Sequence, residues 1–275
     1  MFQSGFISST TMDESLERFW SKVNPEITEM RSLIKKVPTI KDSDVVDTYT
    51  VTEERFSLFL SELTENLVNP DIKNPLFDDI WLPWAKRALW INNILCHPRQ
   101  RDPFSGLGAW TLRTHAVEIF SWAVPTLPVL ETMVSFSPHG IAEIGAGTGY
   151  WLALLSQMGA DVVGVDDFSD ARSQEIRLHH PVEHTDGFSF VQQGLAGQKA
   201  LFFCWPRRLF GASEGFPGWV GDTVFFVGEV DGGCTADIPQ ALRKAGGWEM
   251  VAQKELPRWQ GMNDVFYVLK KKSID

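Results

Sequence analysis

The residues best suited to chemistry sit in one short stretch. Ile141-Ala142-Glu143-Ile144-Gly145-Ala146-Gly147-Thr148-Gly149-Tyr150-Trp151 carries an acid followed by glycines at three alternate positions. Glycines so spaced let the backbone turn sharply and approach a ligand without Cβ clashes. Asp166 follows 17 residues after Gly149, with Asp167 beside it. An acid at the end of the next strand shares the same crevice and accepts hydrogen bonds from a ribose diol. Together these residues describe a site for an adenosine-containing ligand. The competing readings are a plain strand–helix turn for the glycines and a helix cap for Asp166.

The spacing also selects the ligand. A dinucleotide turn reads G-x-G-x-x-G and holds pyrophosphate at the helix N-terminus. Here the pattern is G-x-G-x-G, and Glu143 stands two positions before the first glycine. An acid there repels pyrophosphate and suits a ligand carrying positive charge, such as the amino group and sulfonium of S-adenosylmethionine. Trp122, Tyr150, Trp151 and Trp205 fall near strand ends, as core packing or as an acceptor pocket. Glu229 and Asp231 follow a later strand, either as acceptor-binding or basic groups or as surface residues. His179, His180 and His184, with Glu175 and Glu183, read as a solvated loop before a metal site, and no metal is expected. Cys234 reads as a small packing residue.

Elements must position these groups. Before residue 136 helical signals dominate: Asn24-Pro25 as an N-cap with proline in the first turn, a capping box at 50–53 leading to apolar residues over 56–67, and helices over 78–96 and 109–120. The segment 98–108 reads as a loop. Beyond Pro138, strands at 141–144, 162–165, 188–191, 200–204 and 223–227 alternate with helices at 152–158 and 238–244. Such alternation implies a parallel sheet covered on both faces. The last two strands, 248–256 and 265–269, leave no room for a helix between them and form an antiparallel hairpin.

At this point the chain resembles the class I S-adenosylmethionine-dependent methyltransferases over about residues 125–270. Trp122-Ala123-Val124-Pro125, Phe203-Cys204-Trp205-Pro206 and Val227-Gly228-Glu229 suggest an uncharacterised branch. The resemblance implies an α/β fold: a seven-stranded Rossmann-like sheet with an antiparallel last strand, preceded by a helical N-terminal cap. Its domains are a cap or lid over 1–125 and a cofactor-binding unit over 126–275. It implies S-adenosyl-L-methionine as cofactor, held by Glu143, Gly145, Gly147, Gly149, Asp166 and Asp167. The adenine-side segment after the third strand falls on Val191-Gln192-Gln193-Gly194-Leu195, where a glutamine or backbone groups around Gly194 and Leu195 replace the family's acid. After the fourth strand, Cys204 joins the cofactor site, and Trp205 and Pro206 join the acceptor wall with Trp122, Tyr150 and Trp151. The implied activity is methyl transfer to a small-molecule acceptor, N- or O-linked. An RNA or protein acceptor, a non-catalytic S-adenosylmethionine-binding protein and a nicotinamide-dependent oxidoreductase stand as alternatives.

Composition bounds the partners. The 275 residues include 25 basic and 35 acidic side chains, a net charge of −10 that opposes nucleic-acid backbone binding. The exception is a basic stretch at 86–101, read as a solvated helix face or, as the alternative, a site for an anionic substrate. Three widely spaced cysteines fit a reducing, cytoplasmic compartment. No apolar run is long enough for a bilayer. Of 11 tryptophans, six precede the glycine motif, so the excess belongs as much to the helical region as to the sheet.

Overall fold

The computed structural model describes residues 9–34, 71–85, 103–169, 176–206, 216–230, 233–259 and 262–272. The capping box at 50–53, the helix expected over 56–67 and the basic stretch at 86–101 lie outside the described residues. The described elements open with α1 (Ser9–Ile34), a π-helical turn (Leu76–Trp81), α2 (Pro103–Ile119) and α3 (Leu127–Phe136). Then follow β1 (Ile141–Ile144), α4 (Tyr150–Gln157), β2 (Val162–Asp166), β3 (Glu183–His184) and α5 (Gly187–Gln192). The chain continues through β4 (Ala200–Cys204), β5 (Thr223–Gly228), α6 (Ile238–Ala245), β6 (Trp248–Glu255) and β7 (Val265–Lys271).

The strands form one seven-stranded sheet in the order β3-β2-β1-β4-β5-β7-β6. The first five are parallel, and β7 runs antiparallel to both β5 and β6. The expected terminal hairpin is present, with β7 inserted beside β5 and β6 left at the edge. Strands β1, β4 and β5 are buried at every position, as parallel strands covered on both faces must be. Period-two alternation divides their side chains between two cores. Phe202 and Phe225 join one core with Phe19, Phe120, Val129 and Trp151, and Phe203 and Phe226 join the other with Phe190, Ile238 and Leu242. The N-terminal helices thus share a continuous core with one face of the sheet.

Three local expectations are corrected. Residues 188–191 are helical, within α5, and the third strand is Glu183–His184. A four-residue apolar run has no period that separates a strand from a buried helix. The deciding contact is Asp186, whose carboxylate accepts the Ser189 N–H at 2.7 Å and caps the helix. Pro25 lies inside α1 and does not start a helix. Proline removes one hydrogen bond there, while buried Met12, Phe19 and Val23 hold the preceding turns in the core. The loop expected at 98–108 is helical from Pro103, a residue suited to a first helical position.

Candidate functional site

The glycine turn lies between β1 and α4. Gly145, Gly147 and Gly149 adopt φ of 77°, 53° and 69°, a left-handed region that penalises any Cβ. They differ in what surrounds them. A Cβ added at Gly145 or Gly147 meets nothing within 4 Å, whereas one at Gly149 meets the His180 carbonyl oxygen at 2.8 Å. The first two glycines therefore leave a clear approach to the backbone, and Gly149 is packed beneath a neighbouring segment. The Thr148 hydroxyl donates to the Phe120 carbonyl and ties the turn to the end of α2.

A cavity of about 450 Å³ opens at the carboxyl ends of the parallel strands. This is where open α/β sheets bind ligands, and the volume is that of a small-molecule site. Its wall includes Glu143, Gly145 and Gly147 from the β1 turn, Asp166 and Asp167 from β2, and Cys204, Trp205 and Pro206 after β4. Trp122, Tyr150 and Trp151 also contribute, so most of the expected site is brought together.

Asp166 shapes the turn as well as lining the cavity. Its carboxylate accepts the Gly147 N–H at 2.8 Å and the Phe168 N–H at 2.6 Å. Asp167 accepts the Ser169 N–H at 2.9 Å. Phe168, at φ 51°, is held in a strained conformation on the cavity wall. Glu143 is 2% exposed, and its Oε2 has no hydrogen-bond partner. Burial, and then the charge of Asp166, push its carboxyl well above the ordinary range. A cation in the cavity would reverse that cost.

Gly194 and Leu195 lie elsewhere. Because 187–192 is a helix, the chain has already crossed back toward the amino ends of the strands when it reaches them. Gly194 packs near the Gly218 carbonyl, and Leu195 is 59% exposed. Asp186 and Gly187 occupy the carboxyl end of β3 and line the cavity instead. An acid therefore does follow the third strand, where the sequence reading replaces it with a glutamine or backbone groups, because the strand ends at His184 and Asp186 follows two positions on. The sequence signal is an aspartate directly before a glycine, with a serine three positions on whose N–H it caps.

Two aromatic residues serve as supports. The Tyr150 hydroxyl donates to Asn74 Oδ1 at 2.8 Å and accepts the Leu76 N–H at 3.1 Å. The Trp151 indole donates to Ser121 Oγ at 2.9 Å, and its ring packs edge-on to Phe202. Both are 1% exposed. Trp122 and Trp205 are only partly buried and stack with centroids 5.2 Å apart and planes 16° apart. The Arg113 guanidinium lies 5.3 Å and 4.8 Å from their ring centroids. Trp205 is held in a left-handed conformation, φ 54°, by its N–H to the Val227 carbonyl and its indole N–H to Asp264 Oδ1, each 2.8 Å. Burial of Asp264 pushes its carboxyl up to about 7, against the opposing effects of Trp205 and Arg113. Arg113 and Asp264 carried no signal in the sequence, since they meet Trp205 only through the fold.

Glu229 does not line the cavity. Its two carboxylate oxygens accept the Cys234 and Asn263 N–H groups, each at 2.9 Å, and bind the loops after β5 and before β7 together. Burial alone would raise this carboxyl, but those amides and Arg113 outweigh it and hold the carboxyl below its ordinary value. Asp231 lies outside the described residues. The Cys204 thiol is pushed well up by burial and then by Glu143, which keeps it neutral. The histidines do not converge. His179 is buried between Phe120 and Tyr150, its Nε2 lies 2.8 Å from the Ile119 carbonyl, and burial lowers it to about 4. Among the described residues no cluster of His, Cys, Asp or Glu is placed to hold a metal ion, and no helix is long and apolar enough to cross a membrane.

No family model and no curated protein matches the chain in sequence. Solved structures do match. The 1,6-didemethyltoxoflavin-N1-methyltransferase of Burkholderia thailandensis, solved with S-adenosylhomocysteine, is 16% identical with a TM-score of 0.40, over 54% of this chain and 78% of that one. The magnesium protoporphyrin IX methyltransferase of Synechocystis is 10% identical with a TM-score of 0.37, over 86% of this chain and 100% of that one. A Streptococcus pneumoniae protein described as a candidate tRNA methyltransferase is 15% identical with a TM-score of 0.36, over 53% of this chain and 70% of that one. The sheet itself decides the fold, through five parallel strands followed by an antiparallel hairpin whose last strand inserts beside β5. The chain has the class I methyltransferase fold. In that fold the β1 turn and the ends of β2 and β3 bound one end of the cavity, and the end of β4 bounds the other.

Proposed function

We propose that the cavity binds S-adenosylmethionine and that the chain transfers its methyl group to a small-molecule acceptor. One observation carries the reading: Glu143, whose carboxyl is buried with one oxygen unpartnered, lines a cavity whose glycine turn is open to close approach. The charge of the wall supports it. Among the described lining residues, five are acids (Glu118, Glu143, Asp166, Asp167 and Asp186) and none is Lys, Arg or His. A pyrophosphate would meet repulsion at the β2 and β3 ends, where Asp166, Asp167 and Asp186 stand, which disfavours a dinucleotide. S-adenosylmethionine supplies a methyl group on a positively charged sulfur, a leaving group that needs no further activation.

In this reading Asp166 holds the ribose hydroxyls while fixing the Gly147 amide. Asp186 and Gly187 take the adenine side, Glu143 serves the cationic end, and Cys204 packs beside it as a neutral thiol. Trp122, Trp205 and Pro206 form the acceptor wall. Catalysis rests on alignment and on excluding water from the nucleophile. Residues 1–125 act as the cover. The free thiols of Cys204 and Cys234 agree with a cytoplasmic location. An RNA acceptor finds no support in the acidic wall.

Calorimetry with S-adenosylmethionine and with NAD tests the proposal. Asp166→Ala is expected to weaken cofactor binding by about 1–3 kcal/mol, the worth of hydrogen bonds to a charged acceptor. NAD binding without S-adenosylmethionine binding, or an unchanged affinity in the variant, overturns the assignment. Binding without turnover of any acceptor favours the non-catalytic alternative.

A further inference from the structure

The end of the cavity beneath β4 is built differently from the end beneath β2 and β3. Its wall is aromatic and pre-set. Trp205 is pinned at both its backbone N–H and its indole N–H, and Trp122 stacks against it. A backbone in the left-handed region is retained by a non-glycine residue only where its surroundings over-determine it. The two rings are also partly exposed, whereas Tyr150 and Trp151 reach the cavity wall with side chains that are 1% exposed.

Away from the β2 and β3 ends the described lining carboxyls are Glu143 and Glu118, and Glu118 pairs with Lys22 at 2.8 Å. The described wall holds carboxyl groups and no basic side chain. Among the described residues Arg113 is 7% exposed and stands against the two rings. There it faces the carboxyl groups of Asp264 and Glu229, and it is absent from the cavity wall. Its charge is thus compensated behind the tryptophans. Glu143, by contrast, lines the cavity with one carboxyl oxygen unsatisfied. A cation over an indole face gains from the ring quadrupole, and an anion loses. A flat apolar body suits a fixed stacked pair of indoles.

We infer that the acceptor site takes an uncharged or cationic molecule with a planar aromatic body, and that anionic acceptors such as carboxylates and phosphate esters are rejected. This rests on the reading of the cavity as an S-adenosylmethionine site. It narrows the substrate class to aromatic amines and neutral heteroaromatic compounds. The tryptophan pair selects shape, and the carboxyl groups select charge.

The test uses the full chain saturated with S-adenosylhomocysteine and three probes sharing one ring system: tryptamine (cation), indole (neutral) and indole-3-acetate (anion). Binding is read by saturation-transfer NMR and calorimetry. Tryptamine and indole are expected to bind, with indole-3-acetate at least about tenfold weaker than tryptamine. Raising the salt concentration should narrow that gap. Trp205→Ala should weaken tryptamine by about tenfold with S-adenosylhomocysteine affinity retained. Trp122→Ala, at a partly exposed ring, is the second variant and should act in the same direction. Equal or tighter binding of indole-3-acetate overturns the inference. So does failure of all three probes on a protein that binds S-adenosylhomocysteine, or an unchanged tryptamine affinity in both variants. Failure of S-adenosylhomocysteine itself to bind is a separate result, which overturns the cofactor reading and this one with it.

Discussion

Replacing Asp264 by asparagine should make the protein more stable, and increasingly so as pH rises. Asp264 is fully buried, with one oxygen accepting the Trp205 indole N–H and the other unpartnered. Burial raises its carboxyl from 3.8 to about 7. The groups facing it divide in sign: Trp205 and Arg113 favour the ionised form, Glu229 opposes it and Arg258 favours it. In the unfolded chain the same carboxyl ionises near its ordinary value. Between the two values the unfolded state has lost a proton that the folded state keeps, so the wild type loses stability as pH rises from about 4 to 7. Above pH 7 both states are ionised and the loss is constant. Three pH units at RT ln 10 each amount to about 4 kcal/mol. Asp264→Asn keeps an oxygen for Trp205 and cannot ionise. Urea unfolding of both proteins at a series of pH values is the assay. The stability of the variant relative to wild type should climb by about 4 kcal/mol between pH 4 and 7 and then level off. A difference that is flat with pH, or that falls, refutes the reasoning.

Other outcomes follow from single contacts. Gly147→Ala puts a methyl group at φ 53° in open space beside the cavity. It should cost about 1–2 kcal/mol in unfolding experiments and abolish measurable S-adenosylhomocysteine binding, and a variant that binds normally contradicts the close approach at this turn. Tyr150→Phe leaves the buried Leu76 N–H and one Asn74 interaction unmade. A loss of about 1–3 kcal/mol in denaturant is expected with ligand affinity preserved, since the hydroxyl is a tether. Binding of a cation should ionise Glu143, whose carboxyl is raised by burial and by Asp166. Calorimetry in buffers of differing ionisation enthalpy should then show proton release for wild type and none for Glu143→Gln, and equal release by both would remove Glu143 from the site.

Much of the glycine-turn end of the cavity was legible in the sequence because its determinants are local. The alternate glycines, the acid before them and the acid at the end of the next strand lie within 24 residues, and the turn geometry they require is set by backbone sterics. The hairpin was legible for a similar reason, since a short connection leaves antiparallel pairing as the available arrangement. Sequence and structure diverge where the determinants are not local. Phe188-Ser189-Phe190-Val191 is too short to reveal a period, and reading it as a strand puts the segment after the third strand at Gly194 and Leu195, whereas Asp186 and Gly187 follow that strand and line the cavity. Glu229 sat at a strand end, as a functional acid does, yet its oxygens are taken by amides five and 34 residues away.

By itself, then, the sequence determined the kind of sheet, the glycine turn and the two acids beside it, because each follows from neighbours along the chain. Tertiary structure alone decided which aromatic residues face the cavity and which are sealed. It decided that Asp264, 59 residues from Trp205, would hold that ring. It also decided that Arg113 would stand behind the tryptophans and leave a wall with no basic group among its described residues. The physical reason is that burial and electrostatic field depend on what the fold brings near, and side-chain type and spacing carry no record of distant partners.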